Sequence, residues 1–126
     1  MDVVVNCVND TPQLLRCDSS LKNSWIKLKL TGTKSNRSAI GARVYCATGS
    51  HRQMDEVRSG GSYMSQSDLR IHFGLGEAKK VDAVEIRWPS GAVDTLKDLE
   101  VNRLYVVEEG GKILKNEILV AAKKKA

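Results

Sequence analysis

Three turn-forming blocks divide this chain into segments too short for most helices: Asn36 to Gly41 (NRSAIG), Phe73-Gly74-Leu75-Gly76, and Trp88-Pro89-Ser90-Gly91. The runs between them alternate apolar and polar residues with a period of two. In Trp25 to Leu30, Ile26, Leu28 and Leu30 fall on one face, with Lys27 and Lys29 on the other. Leu69, Ile71 and Phe73 alternate with Arg70 and His72. Val84, Ile86 and Trp88 alternate with Glu85 and Arg87. That period belongs to half-buried strands.

Further strands are expected over 42–46, 53–58, 92–96 and 104–108, with a last strand or short helix over 112–120. Gly41, Gly74, Gly76, Pro89 and Gly91 are read as turn residues, since proline fixes φ and glycine accepts positive φ. Both Trp25 and Trp88 are expected to face inward. Many short strands with Gly and Pro between them predict an all-β fold, an antiparallel β-sandwich or barrel.

A β-branched run from Asp2 to Val8, a turn at Asn9-Asp10-Thr11-Pro12 and a return over Gln13 to Arg16 predict an N-terminal hairpin within residues 1–18. Asp18-Ser19-Ser20 reads as a linker, the main domain as residues 23–120, and 121–126 as a basic tail. A chain of 126 residues fits one main domain that buries roughly two-thirds of its unfolded surface. The sequence holds no run of about 20 apolar residues that would span a membrane, and no signal peptide is visible after Met1.

The net charge of +5 invites a polyanion partner, but Lys123, Lys124 and Lys125 supply three of those charges. The remainder holds 17 cations against 15 carboxylates, so nucleic acid is not an expected partner. Cys7, Cys17 and Cys46 lack CxxC spacing, which argues against zinc. Cys7 and Cys17 flank the hairpin and could pair in an oxidising compartment; the alternative is three small, half-buried free thiols.

Catalytic patterns are sparse. Gly74-Leu75-Gly76 lacks the third glycine of a dinucleotide loop, where Lys79 stands, and a strand follows instead of a helix. Ser62 or Ser65 with His72 and Asp68 offers the residue types of a triad, but no GxSxG elbow accompanies them. His51 and His72 have no second histidine at metal-ligand spacing. The adjacent pairs Asp55-Glu56 and Glu108-Glu109 should point to opposite sheet faces, which does not suit two carboxyls converging on one bond. The expectation is a non-enzyme with no cofactor.

Recognition is the remaining class. Asn36, Arg37 and Arg43 offer amide and guanidinium donors for carboxylates, sulfates or sugar hydroxyls. Tyr63 and Gln66 would rim a loop after Gly60-Gly61. The competing reading gives Asn36 and Gly41 a purely structural role in the turn. Asn36-Arg37-Ser38 also fits a glycosylation sequon.

Taken in order, the blocks Asn23-Ser24-Trp25, Leu30-Thr31-Gly32, Ser35-Asn36-Arg37, Ile40-Gly41-Ala42-Arg43, Gly60 to Gln66, Phe73 to Gly76 and Val84 to Gly91 resemble the ASPIC/UnbV domain. That module follows FG-GAP (VCBS-type) repeats in cartilage acidic protein-like proteins. The resemblance covers roughly residues 23–109. Residues 1–18 look like the end of an FG-GAP repeat, whose calcium-binding aspartates would lie upstream. It implies an extracellular or periplasmic interaction or adhesion module beside a β-propeller or another protein, with a carbohydrate-binding module as the alternative and a hydrolase behind it.

Overall fold

The computed structural model describes residues 2–18, 22–61 and 63–119. Among the described residues there are ten strands and no helix, so no helix there is long and apolar enough to cross a membrane. Strands β1 (Val3–Val5) and β2 (Gln13–Leu15) pair as the expected antiparallel hairpin, a two-stranded sheet in which every strand residue is exposed.

The main domain is an open sandwich of two four-stranded sheets. One has the order β10 (Lys112–Ile118), β9 (Arg103–Glu108), β3 (Ser24–Thr31), β6 (Ile71–Gly76). The other has the order β5 (His51–Glu56), β4 (Arg43–Thr48), β7 (Lys80–Arg87), β8 (Val93–Glu100). Neither sheet closes into a barrel. Pairing is antiparallel throughout except between β3 and β9, which run parallel. A parallel pair needs a long crossover, and the whole second sheet, together with β6, lies between these two strands in sequence.

The period-two residues fill the space between the sheets. Ile26, Leu28 and Leu30 of β3, Ile71, Phe73 and Leu75 of β6, and Tyr105 and Val107 of β9 are buried there. From the other sheet come Val44, Cys46, Val81, Val84, Ile86, Leu96 and Leu99. Trp88 closes one end of this core and is buried as expected.

Two local expectations need correction. Trp25 does not face inward; it shares the outer face of β3 with Lys27 and Lys29, half-buried, its ring edge-on to His72 at 6.0 Å. Alternation decides this, because Ile26, its neighbour, takes the inner face. Gly74 is not a turn: it sits inside β6 opposite Trp25, and the inward series Ile71, Phe73, Leu75 runs straight through it. Of the two alternatives for the last segment, strand is the one formed, over Lys112–Ile118.

The remaining turn residues bend the chain as read. At Trp88-Pro89-Ser90-Gly91 the N–H of Gly91 donates to Trp88 O (2.9 Å) and the N–H of Trp88 donates to Ala92 O (2.9 Å). Proline pre-sets the first corner, and Gly91, at φ 90°, takes the left-handed bulge position that closes such hairpins. Gly41 and Gly76 also have positive φ. The three cysteines are free, with Cys46 buried, Cys17 exposed and Cys7 between. Ser62 and the basic tail 121–126 lie outside the described residues.

Candidate functional site

Two features stand out: a polar knot that holds loops together at one end of the sandwich, and a groove on the outer face of the β10-β9-β3-β6 sheet.

The knot is centred on Glu109, which follows β9 directly. Its backbone N–H donates to Thr31 O (2.9 Å) and so extends the parallel β3–β9 pairing by one step. The residue is only 8% exposed. Oε2 accepts the backbone N–H groups of Thr33 (2.8 Å), Lys34 (2.7 Å) and Ser35 (2.8 Å). Oε1 accepts the hydroxyls of Ser35 (2.9 Å) and Ser90. The Ser90 N–H donates in turn to Ser35 Oγ (3.1 Å). Burial would raise the pKa of this carboxyl. The donors from Ser35, Ser90 and Thr33 outweigh burial and hold it well below the usual carboxylate range. One ionised group thus joins the 32–41 loop, the β7–β8 turn and the end of β9.

Asn36 belongs to the same loop. Its Oδ1 accepts the Ile40 N–H (2.9 Å) and its Nδ2 donates to Ile40 O (2.8 Å), so the amide is used within the turn. Nearby, the Trp88 indole Nε1 donates to Asp94 Oδ2 (2.6 Å), which also accepts the Gly110 N–H (2.8 Å). This second tie binds the β7–β8 hairpin to the β9–β10 turn.

The groove lies beside the knot and has a volume of about 770 Å³. Leu104 and Val106 of β9 stand on the outer face, in register with Lys27 and Lys29 of β3; half-buried Val106 and Leu69, with the small exposed part of Leu104, form its aliphatic floor. Lys29 and Thr31 continue the floor. Lys115 and Glu117 of β10 make one wall, and Asp68 and Arg70, leading into β6, make the other. Arg37 and Ser38 close the end nearest the knot. Asp68 is engaged by Arg70, whose Nε donates at 2.7 Å, and this hydrogen bond lowers the pKa of the carboxyl. Glu117 lies 3.7 Å from Lys115. Lys29 and Arg37 have no ion-pair partner among the described residues. On the same outer face Trp25, Lys27, His72 and Leu119 line a smaller hollow. Burial, and then the nearby Lys27 charge, push the His72 pKa down.

The residues singled out as ligand candidates do not form one surface. Arg37 lines the groove. Arg43 stands on β4 of the other sheet, its Nε 3.2 Å from Glu56 Oε2 and in register with Arg87. On that sheet Arg52 and Arg87 pack over the ring of Tyr45, at 4.6 and 4.8 Å. Gln66 accepts the Gly60 N–H (3.1 Å), donates to Ser67 O (2.7 Å), and lines a cavity of about 270 Å³ that shares Asp68, Leu69 and Arg70 with the groove. Tyr63 is fully out in solvent. Of the triad residue types, Asp68 is held by Arg70 and His72 packs on Trp25. Among the described residues no group of His, Cys, Asp and Glu is placed to hold a metal ion.

The family model for ASPIC and UnbV matches residues 32–114, well over half of the chain. The chain belongs to the ASPIC and UnbV family. No curated protein and no solved structure matches it. The matched span of this ASPIC and UnbV domain takes in the whole knot, from Thr33 to Glu109 and Asp94. Sequence reading missed Glu109 and the floor residues Leu104 and Val106. Glu109 was visible only as half of an adjacent pair, because its partners lie up to 76 positions away.

Proposed function

We propose that this ASPIC and UnbV domain is a non-catalytic interaction module of a larger exported protein, appended to an FG-GAP propeller, and that the outer face of the β10-β9-β3-β6 sheet is its contact surface. One observation carries this reading: that face holds an open groove with an aliphatic floor and a charged rim, the mixture from which protein contact surfaces are built. Two further points support it. The polar residues that converge most tightly, Ser35, Ser90 and Glu109, satisfy one another inside the knot. Asp68 and Glu117, the carboxylates at the groove, each sit beside a cation. The domain then needs no cofactor of its own, and any calcium belongs to repeats upstream.

The test is site-specific photo-crosslinking in the source cells, with benzoylphenylalanine placed at Val106 in the groove or at Met54 on the outer face of the other sheet. Adducts from position 106 and none from 54 are expected. Adducts from 54 alone, or from neither position, would remove the proposed contact face.

A further inference from the structure

We infer that the groove takes an acidic, aliphatic-containing peptide segment of a partner protein, held in extended form across the sheet. This rests on the preceding reading of the face and adds the chemistry of the partner.

The charge pattern carries the inference. Four cations, Lys29, Arg37, Arg70 and Lys115, meet two carboxylates, Asp68 and Glu117, around one cavity. Both carboxylates have a cation beside them, at 2.7 Å for Asp68 with Arg70 and 3.7 Å for Glu117 with Lys115. Lys29 and Arg37 remain without an anion among the described residues, and they flank the floor. Lys27 adds a third cation farther along β3 on the same face. A ligand that brings carboxylates to Lys29 and Arg37 gains two ion pairs over a floor that excludes water on one side, and no existing pair must break.

The floor selects among polyanions. Leu104, Val106 and Leu69 are aliphatic, and no aromatic ring lines this cavity. A glycan is ordinarily held by stacking its ring on an aromatic face, so it would leave this floor unused. An extended peptide places alternate side chains on opposite sides. It can therefore direct leucine-like residues at Val106 and Leu69, which are half-buried, while neighbouring carboxylates reach the rim.

The test uses the full chain and fluorescence anisotropy. The probe is a fluorescein-labelled peptide of about ten residues, spanning roughly 33 Å when extended, built of Glu and Asp with two leucines. Binding should weaken as salt rises through the physiological range, where exposed charges become screened. Removing either cation, K29A or R37A, should weaken binding by about threefold to fivefold. The double reversal K29E/R37E should cost more than about tenfold. The double reversal R43E/K97E, on the other sheet, should cost less than about twofold. Unchanged melting temperatures show that each variant remains folded. Replacing both leucines by serine should weaken binding by about tenfold.

Equal losses from the two double reversals would overturn the proposal, since binding would then follow net charge alone. So would a sulfated oligosaccharide that binds through Lys29 and Arg37 while the peptide does not. If photo-crosslinks form at position 106 but the peptide fails to bind, the partner chemistry is wrong and the contact face stands. If position 106 gives no crosslink, the face itself is wrong.

Discussion

Replacing Asp94 by alanine tests how the sandwich end is closed. Trp88 is 3% exposed, so its indole N–H cannot turn to water when Asp94 Oδ2, 2.6 Å away, is removed. A buried donor left without an acceptor costs about 1–3 kcal/mol. The second donor on that oxygen, the Gly110 N–H, is exposed and can be taken over by solvent. Asp94→Ala should therefore destabilise by about 1–3 kcal/mol, or about 4–12 °C in melting temperature at this chain length. Asp94→Asn keeps an oxygen able to accept both bonds and should cost less than about 1 kcal/mol. Trp88→Phe removes the donor, and in that background Asp94→Ala should cost no more than about 0.5 kcal/mol. Chemical denaturation of the four proteins in this cycle supplies the coupling. An Asp94→Ala cost that is the same with Trp88 or Phe at position 88 would refute the argument, because the bond would then contribute nothing specific.

Glu109→Gln should alter the acid limb of stability. The folded pKa of Glu109 is depressed below an unfolded value near about 4.3, so its contribution is complete above that pH and is lost as pH falls toward the folded pKa. Wild type should lose melting temperature below about pH 5 more steeply than Glu109→Gln, which should already be less stable at pH 7; parallel acid limbs would contradict this. Cys46 is buried, and burial pushes its thiol pKa up to about 11. In the reduced native chain a thiol reagent at pH 7.5 should therefore label Cys7 and Cys17 and reach Cys46 only in denaturant; rapid labelling of all three would count against the fold. Gly32→Ala would drive a Cβ into the Asn36 carbonyl oxygen and to 2.8 Å from Ser35 O, both backbone atoms of the knot loop. It should cost more than about 2 kcal/mol by denaturation, against about 0.5 kcal/mol or less for Gly61→Ala, where the added atom meets nothing within 4 Å.

What could be read from the sequence follows the range of each interaction. Alternation is a local property, and it correctly placed Ile26, Leu28 and Leu30, and then Val84, Ile86 and Trp88, in the core. The same rule, followed strictly, also puts Trp25 beside Lys27 and Leu75 two places after Phe73. Expecting a tryptophan to be core and a glycine to be a bend overrode it at Trp25 and Gly74. The parallel β3–β9 pairing was not legible, because nothing near Lys29 or Val106 names its neighbour across the sheet. Glu109 was hidden for the same reason. A carboxylate beside another in a strand looks solvated until the loop that surrounds it is known.

The two features divide the chain's residues in an instructive way. Two of the blocks that make the family recognisable, Ser35-Asn36-Arg37 and Trp88-Pro89-Ser90-Gly91, meet at the knot, where hydrogen-bond geometry restricts what Ser35, Asn36 and Ser90 accept. Arg37 belongs to one of these blocks and also reaches the groove, whereas Lys29, Leu104, Val106 and Lys115, which shape the rest of it, lie outside them on outward strand positions. Leu104 is only 6% exposed and so is constrained by packing, but Lys29 and Lys115 are exposed, and substitution there changes the charge of the groove while leaving the inward face and the knot intact. A fixed knot beside a face whose charge can vary is the arrangement that the proposed contact surface calls for.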